Sequence, residues 1–189
     1  MQELVSEFNF KMGVYQAELK RAMNYLSANS KVIFLGQAVA FPGTAMTTTL
    51  EDIDKNKLIE MPVEEDLQMG VATGMAMHGL VPVSIFPRWN FMLLAVNQIV
   101  NHLDKLQELL NVKVPPKVII RTGIGSLKPL DPGPQHKGDY TTAFKAMCNK
   151  IEIVRLDSSD MIFPSYKRAL EREDGISTII VEWSDKYYE

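Results

Sequence analysis

Five short apolar runs that do not alternate with polar residues constrain the fold of this 189-residue chain more than any other feature; they span residues 32–35, 81–86, 118–120, 151–156 and 178–181. A strand with one solvated face alternates apolar and polar positions, whereas an unbroken apolar run suits a strand covered on both faces. Helical spacing fills the intervals. Residues 15–28 carry Leu19, Ala22, Met23 and Leu26 at three- and four-residue steps before Asn29 and Ser30 break the pattern, and residues 64–78, 91–110, 141–147 and 160–171 read the same way. Strands alternating with helices predict an α/β fold, a doubly wound and mostly parallel sheet with helices on both faces.

Length bounds this to one domain at about 150 residues each. With 46% apolar and 23% charged residues the chain has the composition of a folded globular protein, which excludes disorder as its main state. Twenty basic against twenty-three acidic residues give a formal charge of −3, so neither a nucleic-acid surface nor a polybasic membrane patch is expected. Cys148 is the lone cysteine, which excludes an intrachain disulfide, and three scattered histidines add no metal-ligand spacing; no metal site is expected, and a reducing cytoplasm is the expected setting. Residues 1–14 read as an N-terminal arm, and the opening MQELVSEFNF lacks the basic head and apolar run of a signal peptide. The longest strongly apolar stretch, residues 91–96, falls far short of a membrane span.

Two segments interrupt the regular alternation. Residues 37–54 and 122–139 each follow a predicted strand, and the second has four glycines and three prolines among its eighteen residues. Both should lie at the carboxyl edge of the sheet, where open α/β folds bind ligands. The run Pro62-Val-Glu-Glu-Asp66 puts carboxylates into a first helical turn at that same edge, a placement the helix dipole favours with or without a function. Gly70 and Gly74 leave a strip of small side chains, readable either as tight packing within the chain or as a partner surface. No Walker loop, dinucleotide fingerprint or nucleophile elbow is present, and Cys148 reads as a packed small residue. His78 and His102 sit in helical patterns and read as interface or partly buried residues. His136, in the turn-rich Gly133-Pro-Gln-His-Lys137, is the histidine placed to titrate near a ligand. Arg88 and Lys128 could meet an anion.

In order, these pieces resemble the pyrimidine-binding domain of thiamine-diphosphate enzymes of the transketolase and 2-oxo-acid dehydrogenase class, most of all the dehydrogenase β-subunit. The residues that carry the resemblance are Met61-Pro-Val-Glu-Glu65, Gly70-Val-Ala-Thr-Gly74, Val81-Pro-Val, Phe91, Ala95-Val-Asn-Gln-Ile99 with Asn101, and Gln135-His136, so residues 32–183 take part. The resemblance implies that Glu65 meets N1′ of the cofactor's aminopyrimidine, where a carboxyl favours the imino tautomer whose N4′ takes the thiazolium C2 proton. It implies that Phe91 stacks on the pyrimidine, that Gln37 lies at the cofactor, and that His136 handles protons of substrate or intermediate. The chain departs from the family in having Gln37 where an acidic residue usually follows the first strand's glycine, and in Asp66-Leu-Gln-Met69.

The family's diphosphate motif, GDG followed at a distance by asparagine, does not occur in these residues, and none remain for its C-terminal domain. The resemblance therefore implies that the whole chain is one pyrimidine-binding domain. A separate α-type subunit would carry that motif and hold Mg2+ and the diphosphate, in an α2β2 assembly acting on a small carbonyl substrate by 2-oxo acid decarboxylation or by ketol or acyl transfer. The competing readings are a noncatalytic paralogue that stabilises a partner enzyme, and a stand-alone flavodoxin-like nucleotide binder.

Overall fold

The computed structural model describes residues 13–112, 114–125, 127 and 131–189. Residues 1–12 and Lys128 lie outside these; the last residue of the expected arm, Val14, already belongs to the first helix. Along the chain run α1 (Val14–Ser27), β1 (Val32–Gly36), β2 (Leu58–Glu60), α2 (Glu65–Met77), β3 (Val81–Phe86), α3 (Trp89–Met92), α4 (Leu106–Leu110), β4 (Ile119–Ile124), α5 (Thr141–Met147), β5 (Ile151–Arg155), α6 (Ile162–Glu171) and β6 (Ser177–Trp183). The strands form one six-stranded sheet, parallel throughout, in the order β2-β1-β3-β4-β6-β5.

Each of the five apolar runs became a strand, for the reason they were unbroken: both faces of the sheet are covered. Neighbouring residues Phe34 and Leu35, Ile119 and Ile120, and Ile180 and Ile179 enter opposite cores. One core packs α1 and α6 through Leu19, Met23, Ile162 and Tyr166; the other packs α2, α3 and α5 through Met69, Trp89 and Phe144. The strand that pattern did not announce is β2. It has three residues, ends in a glutamate and pairs only with β1, too short a run for any period to register.

Residues 91–110 were expected to form one helix and do not. After α3 the chain tightens into a 3-10 turn (Leu93–Ala95), then widens into a π-helical stretch (Gln98–Leu103) before α4. The apolar spacing explains this. Buried positions step by three from Trp89 to Met92 to Ala95, then by four to Ile99 and Leu103, and the tight winding covers the three-residue steps and the wide winding the four-residue steps. Overwinding followed by underwinding keeps them all inward, and Asp104 N–H closes onto the Ile99 carbonyl five residues back, at 2.9 Å. Among the described residues no helix is long and apolar enough to cross a membrane.

A fully buried ion pair fastens the far half of the sheet. Arg121 on β4 reaches Glu182 on β6 with two nitrogens, Nε at 2.7 Å and Nη2 at 3.0 Å, while Nη1 donates to Thr49 Oγ1 at 2.8 Å. The Tyr166 and Tyr187 hydroxyls donate to the same carboxylate, so every strong donor and acceptor has a partner. Burial alone would lower the proton affinity of Arg121, but the Glu182 charge more than reverses it, and burial beside that carboxylate pushes both tyrosines well up. Removing one member leaves the other buried and unpaired. The Arg121→Met protein is expected to lose about 3–5 kcal/mol of unfolding free energy in urea titrations, with the double Arg121→Met, Glu182→Leu protein losing less than the single.

Candidate functional site

The chain leaves β1 towards β2 on one side and later returns to β3 on the other, so β1 and β3 flank the sheet's topological switch point, where crevices open at the carboxyl ends of strands. Gly36 ends β1 with φ +156°, and a Cβ there would lie 2.3 Å from the Ile85 carbonyl oxygen on β3. Only glycine lets the strands close this tightly, and the chain then turns out of the sheet into residues 37–54.

Glu65 opens α2 at this edge, with Asp66 beside it in the first turn. The residue is 3% exposed. Gln37 Nε2 donates to its Oε1 at 3.0 Å, and no donor among the described residues meets Oε2. The turn that carries Glu65 is anchored from below. Gln68, one turn on, is wholly buried and donates to Ser84 Oγ and the Ile85 carbonyl on β3, both at 3.0 Å, while Asp66 accepts from Gln98 at 3.2 Å. The unusual stretch 66–69 therefore has its own partners in this chain.

The segment holding Gln37 is itself clamped. The Glu60 carboxylate, at the end of β2, accepts three successive backbone N–H groups from Ala38, Val39 and Ala40 at 2.6, 2.9 and 2.8 Å. Ala38 sits at φ +53°, a left-handed conformation that a non-glycine residue keeps only when its surroundings enforce it. Such a concave run of N–H groups is an anion cradle, here filled by the chain's own carboxylate. No sequence reading singled out Glu60, because β2 was not recognised; with that strand placed, a glutamate at its carboxyl end would have been the signal.

Phe91 and His136 meet. Phe91 follows β3 on α3, and His136 ends the 3-10 turn Pro134–His136 in the loop after β4; their rings lie 5.5 Å apart at 57°. Both residues are half-buried, and His136 Nδ1 is buried without a partner. The structure thus brings the four expected residues together as two pairs at the same sheet edge, Glu65 with Gln37 and Phe91 with His136, and among the described residues no hydrogen bond or ring contact joins one pair to the other.

Other candidates fall away. His78 and His102 are exposed in this chain rather than partly buried. Cys148 is not within the α5 helix but caps it, buried, and burial pushes its thiol up to about 11. Of the small residues of α2, Ala72 and Ala76 pack into the core, whereas a Cβ on Gly74 would meet nothing within 4 Å and one on Gly70 only the Gln98 amide at 3.9 Å, so close packing within the chain does not require glycine at 70 or 74. Among the described residues no group of three or more His, Cys, Asp or Glu could hold a metal ion.

Residues 11–187 match the family described as the transketolase pyrimidine-binding domain. The chain belongs to that family. It is 25% identical over 179 residues to the mitochondrial pyruvate dehydrogenase E1 component subunit beta of Pisum sativum, a match covering 90% of this chain and 49% of the relative. It is 25% identical over 147 residues to the 3-methyl-2-oxobutanoate dehydrogenase subunit beta of Mycobacterium tuberculosis, covering 74% and 40%. The chain thus spans about half, or less, of the curated relatives it matches. Among solved structures, transketolase from Campylobacter jejuni superposes with a TM-score of 0.68 at 16% identity, over 93% of this chain and 26% of that one. A structure titled split gene transketolase, inactive beta4 tetramer, superposes with 0.59 at 15% identity, over 92% and 52%. These likenesses bear out the thiamine-diphosphate-binding fold expected from sequence.

Two outcomes follow from the geometry. Replacing Glu60 with alanine is expected to speed amide hydrogen exchange at residues 38–40 by about tenfold or more, since each 1.4 kcal/mol of lost closure is a factor of ten. Cys148, with its thiol titrating near 11, holds roughly a hundredfold less thiolate at pH 8 than a free cysteine, so iodoacetamide should label it correspondingly slowly, with the rate still climbing above pH 10.

Proposed function

We propose that this chain is a single pyrimidine-binding domain and supplies the β-type half of a split thiamine-diphosphate enzyme acting on a 2-oxo acid or ketose carbonyl. The observation that carries this reading is Glu65, a buried carboxyl at the switch point with one oxygen held by Gln37 and the other left for an outside donor. The residues fit an aminopyrimidine. A carboxyl edge, a half-buried aromatic face at Phe91 and an orphaned imidazole nitrogen on His136 are the polar and apolar partners such a ring and its substrate would use.

When bound, thiamine diphosphate supplies a carbon nucleophile that adds to the substrate carbonyl. The chain's residues prepare for it as follows. Glu65 Oε2 would hold a proton at the ring nitrogen facing it, and the low dielectric around a buried carboxyl strengthens that bond. Gln37 fixes the carboxyl's rotation through Oε1, so its contribution to the cofactor is through Glu65. Phe91 would cover an apolar ring face, and His136 would exchange protons with the substrate's oxygen.

An α-type partner completes the reading. The 189 residues contain no GDG motif, the relatives above are named as beta subunits, and the Gly70 and Gly74 surface of α2 is unfilled. We assign Mg2+ and the diphosphate to that partner, in an α2β2 assembly in the cytoplasm, the last supported by the lone buried cysteine. The comparisons give the noncatalytic alternative no support. The test is turnover of pyruvate or 3-methyl-2-oxobutanoate by the complex of this chain with its diphosphate-binding subunit. Glu65→Gln, which keeps shape and loses the acid, is expected to lower kcat by about a hundredfold or more while the subunits still co-purify. An unchanged kcat sinks the assignment.

A further inference from the structure

The part of the loop that carries His136 is held by one short segment after β3. Arg88, directly before α3, donates through Nη1 to the carbonyl of His136 at 3.3 Å and to that of Gly125 at 3.2 Å. Asn90 Oδ1 accepts the Gly138 N–H at 3.2 Å, and its Nδ2 donates to the Tyr140 hydroxyl at 3.1 Å. Phe91 then sets its ring against the imidazole. Three residues within four positions thus hold His136 itself, the residue two beyond it and the residue four beyond it. Among the described residues the loop's remaining hydrogen bonds include local ones, from Lys137 and the Gly133 N–H to Asp131 and from Thr141 to Asp139, and two that reach the sheet's other strands, Leu127 N–H to Asp185 just after β6 at 2.5 Å and Arg155 of β5 to Asp139 at 3.2 Å.

Arg88 also stands in an unusual environment for a cation. It is half-buried, its two bonds go to carbonyls, and burial lowers its proton affinity against the opposing pull of Asp185. A charge kept there at that cost joins two parts of the loop after β4, its start at Gly125 and the 3-10 turn at His136. An imidazole whose Nδ1 is buried without a partner has no bond of its own to fix its rotation, so its orientation must come from its backbone and from the ring beside it.

We infer that Arg88 and Asn90 are positioning residues that hold His136 against Phe91. The inference rests on the role proposed for His136 above; neither residue needs to touch substrate. Asn90 acts with both ends of its amide, and aspartate retains the arrangement because it accepts from the Gly138 N–H and from the Tyr140 O–H in turn. Leucine of similar shape removes both bonds.

The test reads His136 directly in the full chain. The ring-current shift that Phe91 imposes on the His136 ring protons is measured by NMR in the parent and in Phe91→Leu, Asn90→Leu, Asn90→Asp and Arg88→Gln proteins, with thermal midpoints recorded alongside. The shift is expected to vanish in Phe91→Leu, to collapse in Asn90→Leu and Arg88→Gln, and to return in Asn90→Asp, with midpoints within a few degrees. In the complex, with pyruvate and dichlorophenolindophenol as electron acceptor, Asn90→Leu should lower kcat by about tenfold or more with KM within twofold, since small misplacements of a reacting group cost that much, and Asn90→Asp should restore it. An unmoved His136 signal in both Asn90→Leu and Arg88→Gln overturns the inference, as does an Arg88→Gln protein whose signal and kcat hold while KM rises, which would make Arg88 a substrate ligand. If His136→Gln turns over normally, the proposed role of His136 fails on its own, and the NMR comparison still decides whether Arg88 and Asn90 fix that ring.

Discussion

The close approach of Gly36 to the Ile85 carbonyl is the contact on which the site depends. Because no Cβ intervenes, β1 can pair with β2 on one side and β3 on the other with strand ends level: Gly36 sits opposite Glu60 and Ile85 at once. Three segments then leave the sheet at one point. The turn after β1 offers Gln37, the one after β2 leads into Glu65, and the one after β3 brings Arg88, Asn90 and Phe91. A side chain at Gly36 would push β1 from β3 and separate the groups that a ligand would have to meet together.

What was legible in the sequence follows from how far each pattern reaches. Strands buried on both faces announce themselves by unbroken apolar runs, and five of six were read that way. The three-residue β2 offers no run to read, and it took Glu60 with it. The stretch 91–110 shows the opposite failure: its apolar residues do recur at helical spacing, but a mixture of three- and four-residue steps is compatible with one regular helix on paper and with 3-10 and π winding once a flat sheet must be covered.

The site divides along the same line. Glu65, Phe91 and His136 were recognisable by resemblance because residue type and order are properties of a sequence. Gln37 was recognised as a departure from the family, and only coordinates place its amide on the Glu65 carboxyl. Arg88 was noticed as a cation but not as a tie between two points of the loop after β4, and Asn90 was not noticed at all, since its partners Gly138 and Tyr140 are about fifty residues away. Long-range hydrogen bonds to backbone carry no local signature. The buried Arg121 and Glu182 pair is of the same kind: two charges inside apolar strands look like interruptions until the register puts them side by side.

The account's central claim is that this chain holds half of a cofactor site, with Glu65 as its acid. The most direct measurement is hydrogen–deuterium exchange at C2 of thiamine diphosphate, followed by NMR with this chain alone, with the diphosphate-binding subunit alone, and with both. Exchange faster than in free solution is predicted only for the pair, and Glu65→Gln in the pair should return it close to the free rate. Accelerated exchange by either subunit alone, or equal exchange in the Glu65→Gln pair, would contradict the account.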